Sequence, residues 1–255
     1  MAQALAFLVG LALGSFLNVV ITRWPAGEPV FFGRSRCPRC LKNLPFYDNL
    51  PLISFIWLKG RCRFCAAPIP WRYPLVELAG GLIALGLWAR FPASPSLLAY
   101  GPFAAALLTQ AVLDLEHRFI PDRLTYPGTI LGLVAAGILP HFTPYPTFLQ
   151  AVLGALAGGG AFFLIGWVYE RLTGRVGLGG GDVKLMAMIG AFLGIQSLLF
   201  VILVSAVLGS LTGLGMAFKS GQGRHTPVPY GPFLGLAALL YLLGGENLAS
   251  WLFLI

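Results

Sequence analysis

The sequence predicts an all-α polytopic membrane protein of about eight transmembrane helices with a small polar insert, and three observations indicate this class. Of the 255 residues, 57% are hydrophobic and 10% are charged, and the mean hydropathy is +0.81. Several apolar stretches approach the ~20 residues that a helix needs to cross the ~30 Å hydrocarbon layer. One polar, basic segment interrupts them and holds all 4 cysteines.

The candidate spans follow the apolar stretches in chain order. The fourth and sixth are short for a crossing, and the tail 248–255 either extends the last span or lies at the interface. The first span lacks a clean small-residue cleavage site, so we expect it to be retained rather than removed as a signal peptide. The candidates are residues 4–22, 75–90, 97–115, 124–140, 148–169, 183–196, 197–218 and 230–245.

The basic residues predict the orientation of these spans. Nine of the 17 lysines and arginines lie between Arg23 and Arg72, and short loops rich in Lys and Arg stay in the cytosol. With both termini outside, every other basic residue except Arg90 also falls on the cytosolic side. The net charge of +8 therefore indicates a cytosolic face near anionic membrane lipid rather than a nucleic-acid site.

Residues 23–74 form the insert, and its cysteines predict a metal site. Two Cys-x-x-Cys pairs, Cys37 with Cys40 and Cys62 with Cys65, have nearly the spacing of a four-thiolate zinc site. We predict a structural, zinc-ribbon-like site with no open position for catalytic water. Two local disulfides are disfavoured in a reducing cytosol, and redox-active or unligated cysteines remain alternatives.

The composition suggests three regions. Residues 1–22 are the first transmembrane helix, 23–74 the insert, and 75–255 a multi-span core that carries the acids of interest.

Acids at the membrane boundary are the candidate functional groups, because ionisable residues in or beside spans are costly. Asp114 ends an outside-to-inside span and Asp182 begins an inside-to-outside one, so both are predicted at the cytosolic boundary. Two close carboxyl groups cannot both ionise easily, so one can hold a proton while the other activates water. Asp114 and Asp182 are therefore the candidate catalytic pair.

The neighbouring charged residues have simpler interpretations. Asp122 is expected to cap the fourth span, and Glu116 to face another side of the helix from Asp114. Lys184 is expected to anchor at the interface. Asp182 could itself be only an N-cap.

Three consecutive glycines precede Asp182. Gly179, Gly180 and Gly181 allow backbone conformations closed to other residues and leave room for another chain. We interpret them as a place where substrate backbone approaches.

Seven sequence blocks together resemble the bacterial prepilin peptidases, also called type 4 leader peptidases. The resemblance runs through nearly the whole chain. One departure is that Leu41 and Ala66 stand where the family's zinc knuckles often have glycine, which is expected to loosen those turns. The matching blocks are "GSFLNVVITRWP", the paired cysteine insert, "PLISFIWLKGRCRFC", "RYPLVEL", "DLEHRFIPDRLTYP", "GLGGGDVKL" and "PYGPFL".

The resemblance implies a membrane-embedded aspartic endopeptidase of the bacterial inner membrane, with Asp114 and Asp182 as its catalytic acids. Its substrates would be prepilins and pseudopilins of type IV pili or type II secretion, cut at the cytosolic face after a glycine and usually before phenylalanine. The family commonly also methylates the new N-terminus with S-adenosylmethionine, an activity that no motif in this chain predicts independently.

Two other functions remain open at this point. Helices that are interrupted by glycines and carry acids are also typical of a multi-span transporter or channel. Such a protein could have a zinc-bound regulatory insert. Against it, the acids lie at one face rather than the midplane, and the two halves show no convincing repeat. A peptidase without methylation is the third possibility.

Overall fold

The structure is a computed structural model that describes residues 1–31, 33–139, 146–174, 177–220 and 229–245. Throughout these ranges the regular elements are helices, and β-pairing is limited to two isolated bridges in the insert. The predicted all-α class is confirmed. Contacts divide the chain into two compact units, Met1–Pro92 and Ala93–Ile255.

Four of the described helices are long and apolar enough to cross a membrane: Ala2–Arg23, Leu97–His117, Phe148–Thr173 and Ser197–Met216. The predicted fourth and sixth spans correspond to helices of 17 and 14 residues, or about 26 and 21 Å at 1.5 Å per residue. Both are shorter than the ~30 Å hydrocarbon layer, so the count of eight spans stays a prediction. The tail 248–255 lies outside the described residues.

The first unit is built on two helices in close contact. Helix α1 spans Ala2–Arg23 and helix α3 spans Arg72–Arg90. A Cβ atom added to Gly14 of α1 would lie 2.7 Å from Cα of Glu77 in α3. Small residues let helix backbones approach this closely, so glycine at this position sets the spacing of the pair.

The insert connects α1 to α3 and contains a 3-10 turn at Phe46–Asn49 and the short helix α2, Ile53–Trp57. The backbone N–H of Leu52, just before α2, donates to Glu77 Oε2 at 2.9 Å, which ties the insert to α3. Helix α3 thus packs within the first unit. The predicted division of the chain into residues 1–22, 23–74 and 75–255 stays a prediction.

In the second unit, the described residues form six further helices. Helix α6 begins with a capping box in which Thr147 and Gln150 satisfy each other's backbone N–H groups. After α9 the chain continues as one π-helical turn, Tyr241–Gly245. The helices are α4 Leu97–His117, α5 Asp122–Ile138, α6 Phe148–Thr173, α7 Gly180–Leu193, α8 Ser197–Ser220 and α9 Gly231–Leu240.

Helix α7 is the central helix of this unit, because α5 and α6 pack on it. A Cβ atom at Gly132 of α5 would lie 2.9 Å from the Phe192 ring, and Gly190 of α7 meets the backbone of Gly154 in α6. Phe192 also stacks on Phe103 of α4 with ring centroids 4.2 Å apart. The position of the first turn of α7 is therefore set by packing along the rest of the helix.

Helix α9 packs on α4 and α8. At its start, the Tyr230 hydroxyl and the Ser205 hydroxyl of α8 share a hydrogen bond of 2.7 Å. This contact holds the N-terminus of α9 against α8.

Candidate active site and metal site

Asp114 lies near the C-terminal end of α4 and is 7% exposed. Its Oδ2 accepts a 2.9 Å hydrogen bond from the backbone N–H of Gly231, the first residue of α9. A Cβ atom on residue 231 would lie 2.8 Å from that oxygen. Glycine at 231 is therefore needed for the backbone to reach the carboxyl group.

Asp182 is the third residue of α7 and is 9% exposed. The N-cap of α7 is Gly179, so the N-cap alternative for Asp182 is wrong. The Gly179 N–H interacts with the carboxyl group, while Asp182 Oδ1 is buried with no hydrogen-bond partner. Buried polar atoms are nearly always satisfied, so this oxygen is suited to contact water or substrate.

The structure brings the surroundings of the two acids together around Ile120, which lies in the loop after α4. A Cβ atom on Gly181 would lie 2.9 Å from Ile120 Cβ, and one on Gly231 would lie 3.0 Å from Ile120 Cδ1. Gly181 precedes Asp182, and Gly231 donates its N–H to Asp114. The segments that carry the two buried acids thus meet at Ile120, although they are far apart in the chain.

The three glycines before Asp182 have different environments. Gly180 and Gly181 are helical, and Gly179 has φ −72° and ψ 141°, so none of the three needs a left-handed conformation. Gly181 packs against Ile120, while a Cβ atom on Gly180 would meet nothing within 4 Å. Only Gly180 is open in the way that an approaching substrate would require, and that role stays a prediction.

The other acids beside Asp114 are on the surface. Asp122 is the first residue of α5 and its N-cap is Pro121, so Asp122 is not the predicted cap. Its Oδ1 accepts a 2.7 Å hydrogen bond from Lys184 Nζ, and Lys184 lies 5.2 Å from the centre of the Tyr126 ring. Lys184 joins the first turns of α5 and α7, and its expected role as an interface anchor stays a prediction.

The sequence analysis did not identify two residues of this site. Gly231 and Tyr230 lie in the block "PYGPFL", whose Gly-Pro pair signals only a helix start. Tyr230 interacts electrostatically with Asp182 and is bonded to Ser205. No local pattern indicates that a glycine 117 residues after Asp114 donates its N–H to that acid.

The four cysteines form one cluster in the first unit. Cys37, Cys40, Cys62 and Cys65 are free, and their Sγ atoms all lie within 4.8 Å of one another. The Sγ atoms of Cys37 and Cys65 are 3.8 Å apart, far longer than the ~2.05 Å disulfide bond. Tetrahedral ligands at the Zn–S distance of ~2.3 Å would be separated by ~3.8 Å, so the cluster can hold a metal of this kind.

Each Cys-x-x-Cys pair lies in a closed turn of the same form. Leu41 N–H donates to the Cys37 carbonyl and Ala66 N–H to the Cys62 carbonyl, both at 2.9 Å. Leu41 and Ala66 have φ of 58° and 55°, the left-handed conformation that glycine favours. The expected loosening at these two non-glycine positions is therefore absent, and the turns instead carry backbone strain.

The thiols of the metal-free cluster are not equivalent. Burial raises the pKa of the Cys37 thiol, but hydrogen bonds from the backbone and from neighbouring thiols lower it to about 7 overall. A backbone hydrogen bond from Ala67 lowers the pKa of Cys65, while desolvation and the three other thiols raise it to about 11. Cys37 is thus the thiol that most readily provides the thiolate a metal requires.

Comparisons with known proteins agree with this arrangement. Residues 8–91 match the Bacterial Peptidase A24 N-terminal domain, and residues 102–214 match the Type IV leader peptidase family. A Prepilin leader peptidase/N-methyltransferase of Aeromonas salmonicida is 36% identical over 278 residues, covering 97% of this chain and 92% of that protein. One of the same name from Burkholderia pseudomallei is 38% identical over 281 residues, covering 96% and 89%.

The chain belongs to the type IV leader peptidase family. It is therefore an enzyme of a peptidase class, and the resemblance found in the sequence is confirmed. The family's peptidase region includes Asp114 and Asp182, and its N-terminal domain includes the four cysteines. No solved structure gives a match.

Proposed function

We propose that this leader peptidase is a membrane-embedded aspartic endopeptidase that removes the short basic leader from prepilins and pseudopilins. It cuts after a glycine, usually before phenylalanine, at the cytosolic face of the bacterial inner membrane, and methylates the new N-terminal residue with S-adenosylmethionine. The observation that carries the proposal is the burial of both Asp114 and Asp182 on segments that meet at Ile120, in a chain of this family.

In the proposed cleavage, a water molecule lies between the two carboxyl groups. One acid removes a proton from the water, whose oxygen attacks the carbonyl carbon of the scissile glycine, and the other acid protonates the leaving nitrogen. The C–N bond breaks, releasing a leader with a new carboxyl group and a mature chain with a new amine. Asp182 Oδ1, which has no protein partner, is suited to the contact with water. The pair titrates as a unit.

Methylation follows on that amine. When bound, S-adenosylmethionine would supply the methyl group from its sulfonium sulfur, and the new N-terminal amine would be the acceptor. The names of the relatives support this second activity.

In the proposed metal site, Cys37, Cys40, Cys62 and Cys65 hold a structural zinc ion. The thiolate set fits because one sulfur separation equals that of a tetrahedral site. Four thiolates leave no open position, so zinc stabilises the insert and takes no part in cleavage. Near-stoichiometric zinc in purified protein is the expected result, and absence of bound metal would reject this part.

A processing assay tests the proposed cleavage. Full-length protein in detergent is incubated with a synthetic prepilin, and loss of a few kilodaltons is followed on a gel. Asp114→Asn and Asp182→Asn are each expected to abolish processing, because the amide that replaces one acid cannot exchange a proton with water and the proposed mechanism needs both acids. Asp122→Asn is the matched control, since Asp122 is a nearby surface acid paired with Lys184, and it is expected to retain processing.

Retained processing in Asp114→Asn with loss in Asp122→Asn would transfer the role to Asp122. No processing by any form, together with proton-coupled uptake in liposomes, would favour the transporter alternative. Mass spectrometry of the product N-terminus distinguishes a bifunctional enzyme from a peptidase without methylation.

A further inference from the structure

One face of α2 presents apolar side chains to the exterior of the first unit. Ile53, Ile56 and Trp57 lie at positions i, i+3 and i+4 of this helix, so they share one face. They are 58%, 74% and 79% exposed, and no residue of α2 is buried. Contiguous exposed apolar surface marks a contact with a partner or a membrane, so this face indicates an apolar partner.

The apolar face of α2 borders an open groove of about 590 Å³, which α2 shares with the residues just before α3. The rings of Phe55 and Trp71, which both line the groove, have centroids 5.1 Å apart. Trp71 is itself 71% exposed. Proline, isoleucine and glycine residues form most of the remaining lining. The exposed apolar surface thus extends from α2 to the start of α3.

Two cations border this apolar surface. Lys59 and Arg61 line the groove and are exposed, and none of the described lining residues is acidic. The acids of the insert, Glu28 and Asp48, pair with other arginines. Cations beside an apolar surface are complementary to the phosphates and acyl chains of an anionic bilayer. A basic prepilin leader would be repelled by the same cations, so the charges favour lipid as the partner.

The groove lies at the level where the hydrocarbon of a bilayer would end. Arg72 Nη2 donates a 2.7 Å hydrogen bond to Thr22 Oγ1, so the start of α3 is level with the end of α1. Helix α1 is long and apolar enough to cross a membrane and ends at Arg23, which sets this level near the boundary of the hydrocarbon layer. Trp71 directly precedes Arg72. Tryptophan is enriched at membrane–water interfaces, so Trp71 is suited to this depth.

We propose that this surface docks onto a bilayer that contains anionic phospholipids. Its apolar side chains enter the boundary between headgroups and acyl chains, and its two cations bind lipid phosphates, so that the insert is held against the membrane. The inference rests on the membrane insertion in the proposed function and on neither its cleavage nor its methylation step. The surface, called the lipid-docking patch below, consists of Ile53, Ile56, Trp57, Lys59, Arg61 and Trp71.

Fluorescence quenching by brominated lipid tests this docking directly. The full-length protein is reconstituted into vesicles of phosphatidylcholine and phosphatidylglycerol, with or without bromine atoms near the headgroup end of the acyl chains. Subtracting the spectrum of Trp57→Phe, which keeps an aromatic ring, isolates the emission of Trp57. We expect brominated vesicles to remove most of this emission, and acrylamide in the water to quench it little. Full emission in brominated vesicles, with strong quenching by acrylamide, would overturn the inference.

Two charge variants test the role of the cations, each compared with its own Trp57→Phe form. Lys59→Gln combined with Arg61→Gln removes both cations of the patch. Arg34→Gln combined with Lys42→Gln is the matched control, because these residues are exposed in the same insert but do not line the groove. Replacing phosphatidylglycerol by phosphatidylcholine should reduce the lipid quenching of Trp57 in the wild type and in the control. In the patch variant the quenching should be weaker and independent of phosphatidylglycerol, and an equal loss in both variants would overturn the assignment to this patch.

Metal content and prepilin cleavage in detergent are the folding controls and should be unchanged in every variant. If the patch variant loses its metal, the wild-type measurement alone decides. Normal cleavage with Trp57 exposed to water would reject the lipid-docking patch and leave the proposed function standing. Absence of cleavage by the wild type, with Trp57 in contact with lipid, would do the reverse. If Trp57 becomes shielded only when prepilin is added, the surface belongs to the substrate and the inference is overturned.

Discussion

Substitution of Gly190 by alanine is expected to separate α6 from α7 and to displace the candidate acid on α7. An added Cβ atom would meet the backbone O and C of Gly154 and lie 2.9 Å from Ala155 N. All three are backbone atoms, which cannot rotate away. The two Gly154 atoms would lie closer still, so restoring ordinary contacts of ~3.4 Å requires a shift of about 1 Å or more, and overpacking of this kind costs about 1–3 kcal/mol.

The displacement also reaches the candidate active site. Asp182 lies eight residues before Gly190 on the same helix, about 12 Å away at 1.5 Å per residue. A misplacement near 1 Å can reduce catalysis about 100-fold. We therefore expect Gly190→Ala to lower the melting temperature in detergent and to reduce prepilin cleavage by about 10- to 100-fold.

Gly160→Ala is the matched control on α6. A Cβ atom there meets nothing within 4 Å, so the higher helix propensity of alanine should leave stability unchanged or raise it by up to about 1 kcal/mol. Cleavage should match wild type. If Gly190→Ala melts and cleaves like Gly160→Ala, the packing argument for α7 is refuted.

The remaining predictions concern the insert and the surface ion pair. Leu41→Gly removes the strain of a left-handed residue, ~1–2 kcal/mol, and adds the flexibility of glycine to the unfolded chain, ~0.5–1 kcal/mol. The free energy of thermal unfolding of the insert should therefore rise by about 0.5–1 kcal/mol. A lower value would contradict the strain at Leu41. Asp122→Asn breaks the exposed ion pair with Lys184 and should lower the free energy of unfolding by no more than about 1 kcal/mol. High salt should remove the same contribution from the wild-type protein. A larger loss that does not depend on salt would mean that the pair is buried. The pKa of Cys37 is about 7 in the metal-free cluster, so protons compete with zinc for this thiol only below that pH. Zinc affinity, measured by chelator competition, should therefore fall more steeply with pH below pH 7 than above it. A constant slope from pH 8 to pH 6 would contradict this order of titration.

Composition and cysteine spacing were sufficient to predict the class and the cysteine cluster, because both depend on local or averaged properties. Apolar stretches that approach ~20 residues predict helices that cross a membrane. Two Cys-x-x-Cys turns each bring their own thiols together, so only one long-range contact, between the turns, had to be assumed. Asp114 and Asp182 were singled out for the same kind of reason, since an acid at the edge of an apolar stretch is conspicuous in the sequence.

The tertiary structure decided what surrounds each of these residues. Ile120 fills the space beside Gly181 and Gly231, the Gly231 N–H reaches Asp114 from 117 residues away, and Lys184 pairs with Asp122 across 62. None of these contacts leaves a periodic or local signal, because each depends on how separate helices pack. The role of Gly190 likewise follows only from the backbone of α6 beside it.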